Sequence, residues 1–276
     1  MASRVCPWCG SLVGARQPRC ARCSRWVPPR AVIGWARALT AVEMPSTWGL
    51  VLLVVAVFVL ELADARGRMV VLGAPESTLV RWGALSGELA AHEPWRVLSA
   101  CFVHIGYAHV VFNLLALVSF GPALERHFGS ARLFVAFVLA GVVGFLCSLW
   151  WYADRPDVLT AGASGGIFGF IGLYAGALAA RRVPQWGSLL VLQVGYSFLF
   201  FFVFGTNQAA HLSGLAVGFA LGWLLERERR GGPRERAWTA AAVLFALASV
   251  GSVLASTASE VWVPMREYEL LLESAP

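Results

Sequence analysis

Gly162-Ala163-Ser164-Gly165-Gly166 decides how this chain is read, together with a histidine further on in Ala210-His211-Leu212-Ser213-Gly214. Ser164 stands where an apolar segment is about to begin, and His211 stands at the head of another. Polar side chains that reach into membrane-spanning segments are costly there and mark functional sites. A serine becomes a competent nucleophile when a base takes its proton, and histidine has the unperturbed pKa that suits the task near neutrality. The two are read as a nucleophile and its base inside a bilayer. The rest of the chain decides whether they can meet.

Of the 276 residues, 58% are hydrophobic and 14% charged, against roughly 25% charged in an average soluble domain. With a mean hydropathy of +0.67, the composition is that of a multi-span membrane protein lying in a lipid bilayer. All 22 basic residues are arginine, and the net charge is +6. The arginines fall in gaps between apolar segments, which is the pattern of topology signals rather than of a nucleic-acid-binding stripe. No nucleic-acid partner is expected.

Judged against the ~20 residues needed to cross a bilayer, the apolar segments fall at 46–63, 107–124, 131–151, 164–180, 187–204, 209–225 and 237–256. The stretch 64–103, with Trp82 and Trp95, is too long for a turn and is expected to fold at the interface, where tryptophan is favoured. Seven arginines in residues 1–46 stand against one acid. Arg126 and Arg132, then Arg181 and Arg182, then five arginines from Arg227 to Arg236 follow the second, fourth and sixth spans, whereas residues 257–276 hold one arginine and four glutamates. The positive-inside rule then predicts a cytoplasmic N-terminus and an outer tail. A bacterial plasma membrane is the expected location.

The first residues form a separate unit. Cys6-Pro7-Trp8-Cys9-Gly10 and Cys20-Ala21-Arg22-Cys23 are two Cys-x-x-Cys turns, a pattern that supplies the four thiolates of a tetrahedral Zn²⁺ site. A core of little more than Trp8, Val13 and Trp26 is too small to fold alone, so a structural zinc has to supply the stability. A reducing cytosol favours metal over the rival reading of paired disulfides. The expected organisation is a zinc-ribbon-like unit at 1–30, a linker at 31–45, a core at 46–225, and an arginine-rich loop, seventh span and tail at 226–276.

Spans two, four and six enter the membrane from one side, which brings His109 and Asn113, Ser164, and His211 to one level near its outer face. Gly214, Gly218 and Gly222 repeat at i+4, and Gly165, Gly169, Gly172 and Gly176 line the other helix. Small-residue faces of this kind let helices approach closely in lipid, so Ser164 and His211 are expected to meet. No acid lies near His211 in sequence, and Glu61 and Glu125 fall at opposite faces, so a dyad is predicted, with the imidazole packed against Phe168. His109 and Asn113, one turn apart on one face, and the backbone N–H of Ser164 are candidate oxyanion donors. His104 is read either as a support for His109 or as a residue in interfacial water, and His92 and His127 as loop histidines for which the sequence names no partner.

These residues carry a resemblance. Trp95-Arg96, His104-x4-His109-x3-Asn113, Glu125 followed by Gly129, Gly162-Ala163-Ser164-Gly165 and Ala210-His211-x2-Gly214 are similar to the motifs of the rhomboid intramembrane serine proteases. The resemblance covers residues 46–225. It implies an all-α polytopic fold with a six-helix core, to which the seventh span and the four-cysteine unit are additions. It implies Ser164 as nucleophile, His211 as general base, and His109 with Asn113 as oxyanion stabilisers. The implied activity is cleavage of single-pass transmembrane proteins near the outer face, with no catalytic cofactor. Trp95-Arg96 and Glu125 look like structural positions, and Phe168 stands where some members place a tyrosine. The rival reading is an inactive rhomboid-like protein that binds transmembrane clients; such relatives lose the serine or the histidine, and both are kept here. A transporter would place its polar groups centrally, and a zinc metalloprotease would need His-Glu-x-x-His. Oligomeric state leaves no signal in the sequence.

Overall fold

The computed structural model describes residues 4–6, 9–14, 17–27, 43–228 and 234–274. The chain divides into two compact units, residues 1–45 and 46–276. Nearly all of the linker expected at 31–45, and Trp8, lie outside the described residues.

In the first unit, β1 (Arg4–Val5) pairs antiparallel with β2 (Leu12–Val13), Arg4 opposite Val13. Its buried centre is Cys6, Val13, Cys20 and Val27. Trp26, expected in this core, is 54% exposed. The bridge between Arg19 and Trp26 makes that segment extended, and neighbours in extended chain face opposite sides. Val27 turns in, and Trp26 therefore turns out.

The second unit is helical. Its elements are α1 (Pro45–Ala65), α2 (Glu76–Trp82), α3 (Gly87–His92), α4 (Arg96–Ser99), α5 (Tyr107–Phe128), α6 (Ser130–Trp151), α7 (Ser164–Ala180), α8 (Gln185–Phe204), α9 (Gln208–Arg227), α10 (Arg234–Ala258) and α11 (Val263–Ser274). Six of them, α1, α5, α6, α8, α9 and α10, are long and apolar enough to cross a membrane, and α7 is a shorter apolar helix of 17 residues. Helix α7 is apolar all round, and residues 165–173 are buried without exception. A helix of that kind belongs at the centre of a bundle.

The close partner of α7 is α9. A Cβ added at Gly214 would run into the carbonyl of Gly165, one at Gly218 into that of Gly169, and one at Gly222 into that of Leu173. Gly172 and Gly176 meet the carbonyls of Leu215 and Phe219 in return. The two backbones thus touch along three turns, as the glycine stripes predict.

The opposite end of the bundle is closed by a carboxylate. Glu125 in α5 accepts the N–H groups of Ser46 (2.9 Å) and Thr47 (2.8 Å) and the hydroxyl of Thr47 (2.6 Å). Those N–H groups belong to the first turn of α1, which has no partners within its own helix, and a negative charge suits the helix N-terminus.

The segment 64–103 folds as α2, α3 and α4 around Arg96, which is fully buried. Its guanidinium donates to the carbonyls of Val80 (2.5 Å) and Ala84 (3.1 Å) and pairs with Glu93. The outer tail expected after the seventh span contains a further helix, α11. Arg266 bonds both carboxylate oxygens of Asp64, at 2.8 and 2.6 Å. Glu269 accepts from the N–H (3.0 Å) and hydroxyl (2.6 Å) of Ser77 and pairs with Arg68 at 2.9 Å. Residues 263–274 have low overall hydropathy, so a search for apolar spans passes over them.

Candidate active site and metal-binding unit

Helix α7 begins abruptly. Gly162 has φ +129°, a conformation side-chain-bearing residues rarely adopt, and its N–H donates to the carbonyl of Ala100 at 2.8 Å. A Cβ at Gly162 would stand 2.5 Å from Cε1 and 2.6 Å from Nε2 of His109. The bare glycine lets the His109 ring lie against the backbone two residues before Ser164. The first bond up the helix is from Ile167 N–H to the Ala163 carbonyl, and no side chain caps the end. The N–H groups of Ser164, Gly165 and Gly166 stand before that ladder, where an incoming oxyanion can use them.

Ser164 Oγ lies 2.8 Å from His211 Nε2. His211 is 4% exposed, and its ring stacks on Phe168 with centroids 4.2 Å apart and planes 8° from parallel. The stacking predicted from sequence is present. The second ring nitrogen, Nδ1, lies 3.3 Å from Ser197 Oγ in α8, a contact sequence reasoning missed. Ser197 in turn donates to Gln208 Oε1 at 2.6 Å, and Gln208 Nε2 donates to the Ser197 carbonyl at 2.7 Å.

The head of α9 is pinned by Asn207. Its Oδ1 accepts the N–H of Ala210 at 3.1 Å, and its Nδ2 donates to Ser148 Oγ in α6 at 2.6 Å. Asparagine before an apolar run is an N-cap signal, and it was available in the sequence. Gln208, three residues before His211 on one helical face, was available in the same way.

His109 Nδ1 accepts the N–H of Ile105 at 3.4 Å, which leaves the ring hydrogen on Nε2, the nitrogen against Gly162. Asn113 is buried, and its amide donates to the His109 carbonyl at 3.1 Å. Its other N–H remains for a further acceptor. The His104 ring packs edge-on to His109, 5.1 Å between centroids, and the His104 N–H lies 3.3 Å from both oxygens of buried Glu61. Glu61 therefore supports the segment leading to His109 and does not serve His211. Neither expected loop histidine lies in a loop: His92 is the last residue of α3, and His127 lies in the last turn of α5 and bonds Glu226 at 2.7 Å.

In the first unit, Cys6, Cys9, Cys20 and Cys23 bring all four sulfurs within 4.8 Å of one another. Cys6 and Cys23 are 3.7 Å apart, and Cys9 and Cys20 are 3.6 Å apart. Four thiolates at ~2.3 Å from a tetrahedral zinc stand about 3.8 Å from one another, so the donor set fits that ion. The two turns are built alike. Gly10 N–H bonds the Cys6 carbonyl at 3.0 Å, and Ser24 N–H bonds the Cys20 carbonyl at 2.8 Å. Gly10 has φ +73° and Ser24 φ +56°. Hydrogen bonds to the hydroxyl and backbone of Ser11 lower the Cys9 thiol to about 6. At Cys23 a backbone hydrogen bond at Arg25 is outweighed by burial and the neighbouring thiols, which raise the group to about 11, so a binding metal has to displace protons from the cluster.

Comparison with known proteins agrees with this architecture. The family model of the Rhomboid domain matches residues 91–228, half of the chain. The chain belongs to the rhomboid family. It is 38% identical over 151 residues to rhomboid protease GluP of Bacillus subtilis (strain 168), covering 51% of this chain and 28% of that protein. The YdcA protein of the same organism is 32% identical over 149 residues, 51% of this chain and 73% of its own. RHOMBOID-like protein 6, mitochondrial, of Arabidopsis thaliana is 29% identical over 176 residues, 59% and 55%. The match thus spans little more than a quarter of GluP. Family and helices together make the chain an integral, multi-pass membrane protein.

Proposed function

We propose that the chain is an intramembrane serine endopeptidase that hydrolyses a peptide bond of single-pass membrane proteins. The observation that carries this reading is the 2.8 Å contact between Ser164 Oγ and His211 Nε2. His211 Nε2 takes the hydroxyl proton as Oγ attacks the scissile carbonyl carbon. The negative charge that develops on the carbonyl oxygen is met by donors aimed from His109 Nε2, the Asn113 amide and the N–H groups at the head of α7. His211 then gives its proton to the leaving amine, and the acyl-enzyme is released by a water that uses the same base in reverse.

The length of α7 supports a site below the membrane surface. Seventeen residues rise about 26 Å, short of the ~30 Å hydrocarbon layer. With the arginine-rich loops inside, the N-terminus is cytoplasmic and the site opens toward the outer face, where water reaches it. A substrate helix has to unwind there, because its peptide bonds are otherwise shielded. The expected location is a bacterial plasma membrane. In the first unit, Cys6, Cys9, Cys20 and Cys23 hold a structural zinc whose bonds replace the missing hydrophobic core.

The test is cleavage of a single-pass reporter by purified protein in liposomes. Ser164→Ala and His211→Ala are each expected to abolish turnover, and cleavage by Ser164→Ala would overturn the reading in favour of a client-binding protein. For the first unit, about one zinc per chain is expected, lost in Cys6→Ser/Cys9→Ser; a metal-free wild type refutes that assignment.

A further inference from the structure

We infer that Ser197, clamped by Gln208, is the positioning residue that holds the proton on His211 Nδ1 and so stands in for the carboxylate of a triad. The inference rests on the nucleophile–base reading above. It follows from a chain of donors in which each step leaves no choice. The Ser197 carbonyl has only lone pairs to offer, so the Gln208 group 2.7 Å from it must be the amide nitrogen. The other end of that amide, facing Ser197 Oγ at 2.6 Å, is therefore the oxygen. It accepts the one hydrogen of the hydroxyl. Ser197 Oγ then has only lone pairs left for His211 Nδ1, 3.3 Å away. The hydrogen of that contact must sit on Nδ1, which leaves Nε2 bare and facing Ser164. This is the tautomer that a general base requires, since the partner of one ring nitrogen sets the state of the other.

The setting of Ser197 supports a purpose for its hydroxyl. It is fully buried, and it is the one buried residue among the described residues of α8. Burying a hydroxyl is costly unless it is hydrogen-bonded, and an alanine would fill the same place on an apolar helix. Among the described residues no acid bonds His211: Glu61 bonds His104, and Asp64 bonds Arg81 and Arg266. When His211 accepts the proton of Ser164, its Nδ1–H bond to Ser197 becomes charge-assisted and strengthens, which favours the transition state over the resting state.

The discriminating pair is Ser197→Thr, which keeps the hydroxyl, and Ser197→Val, which has the same shape without it. Reporter cleavage in liposomes and the rate at which a fluorophosphonate labels Ser164 are both measured, with Ser164→Ala as the blank. Ser197→Val is expected to lower kcat and the labelling rate by about tenfold or more at unchanged KM, with Ser197→Thr recovering most of the loss. Equal rates in the two variants, whether both high or both low, overturn the inference. Should either β-branched variant fail to fold, the smaller Ser197→Ala is compared with the unsubstituted residue through the ¹⁵N ring signals of His211, assigned by their loss in His211→Gln. Those spectra are recorded in a Ser164→Ala background and need no activity. A single Nδ1–H tautomer that becomes mixed in Ser197→Ala is the expected result, and an unchanged tautomer refutes the role. A protein that shows the tautomer change yet never cleaves or labels would sink the protease reading alone.

Discussion

At the residue scale, the site depends on atoms that are absent as much as on those present. Gly162 has no side chain, and its place is taken by the His109 ring. Gly162→Ala adds a Cβ to a residue at φ +129° and drives it against that ring. Losing one oxyanion donor costs about 100-fold or more in kcat, and that is the expected effect, with the helical circular dichroism unchanged; activity within threefold of wild type would show that His109 is no donor. Ser164, His211, His109 and Asn113 were all visible as candidates, because polar residues stand out against apolar spans. Ser197 was not, since a lone serine in a membrane helix ordinarily bonds its own backbone. Only its distance from His211 gives it a meaning.

At the element scale, the pairing of α7 with α9 brings the site together. Their contact is backbone to backbone, so it tolerates no side chain. Gly218→Leu is expected to force the helices apart and to lower both the unfolding temperature and cleavage, while the exposed Gly195→Leu in α8, where a Cβ meets nothing within 4 Å, should change neither. Glu125 is the corresponding device at the other end, where one carboxylate satisfies three donors at the head of α1. Glu125→Ala leaves the N–H and hydroxyl of buried Thr47 without an acceptor, at a cost of about 2–4 kcal/mol, read as a lower midpoint of denaturant unfolding in detergent. The glycine stripes announced the first contact in sequence. The second was invisible, because Thr47 and Glu125 are far apart in the chain and only antiparallel packing of α1 and α5 makes them neighbours.

At the scale of the whole molecule, α11 returns from the seventh span to α2 and the end of α1, and it carries a pH dependence. Burial pushes the Glu269 carboxyl up, but hydrogen bonds from Ser77 and the charge of Arg68 outweigh it and hold the group below its ordinary value of 4.5. A carboxyl lowered in the folded state contributes stability above the ordinary value, and that contribution is lost as pH falls through the folded one. Hydrogen exchange in residues 263–274, corrected for its intrinsic pH dependence, is expected to accelerate below about pH 4.5, and Glu269→Gln should abolish the transition; an unaltered profile refutes the clamp. Hydropathy and arginine placement alone determined that this is a multi-span membrane protein, because burial in lipid demands long apolar helices whatever their packing. The two Cys-x-x-Cys turns likewise announced their four-thiol cluster, since each turn is local. What tertiary structure decided is everything that depends on distance between helices: the 2.8 Å contact of Ser164 with His211, the contact of Ser197 with its second nitrogen, and the docking of an amphipathic helix that hydropathy passes over. Periodicity records which face of a helix is buried, whereas only packing decides what that face meets.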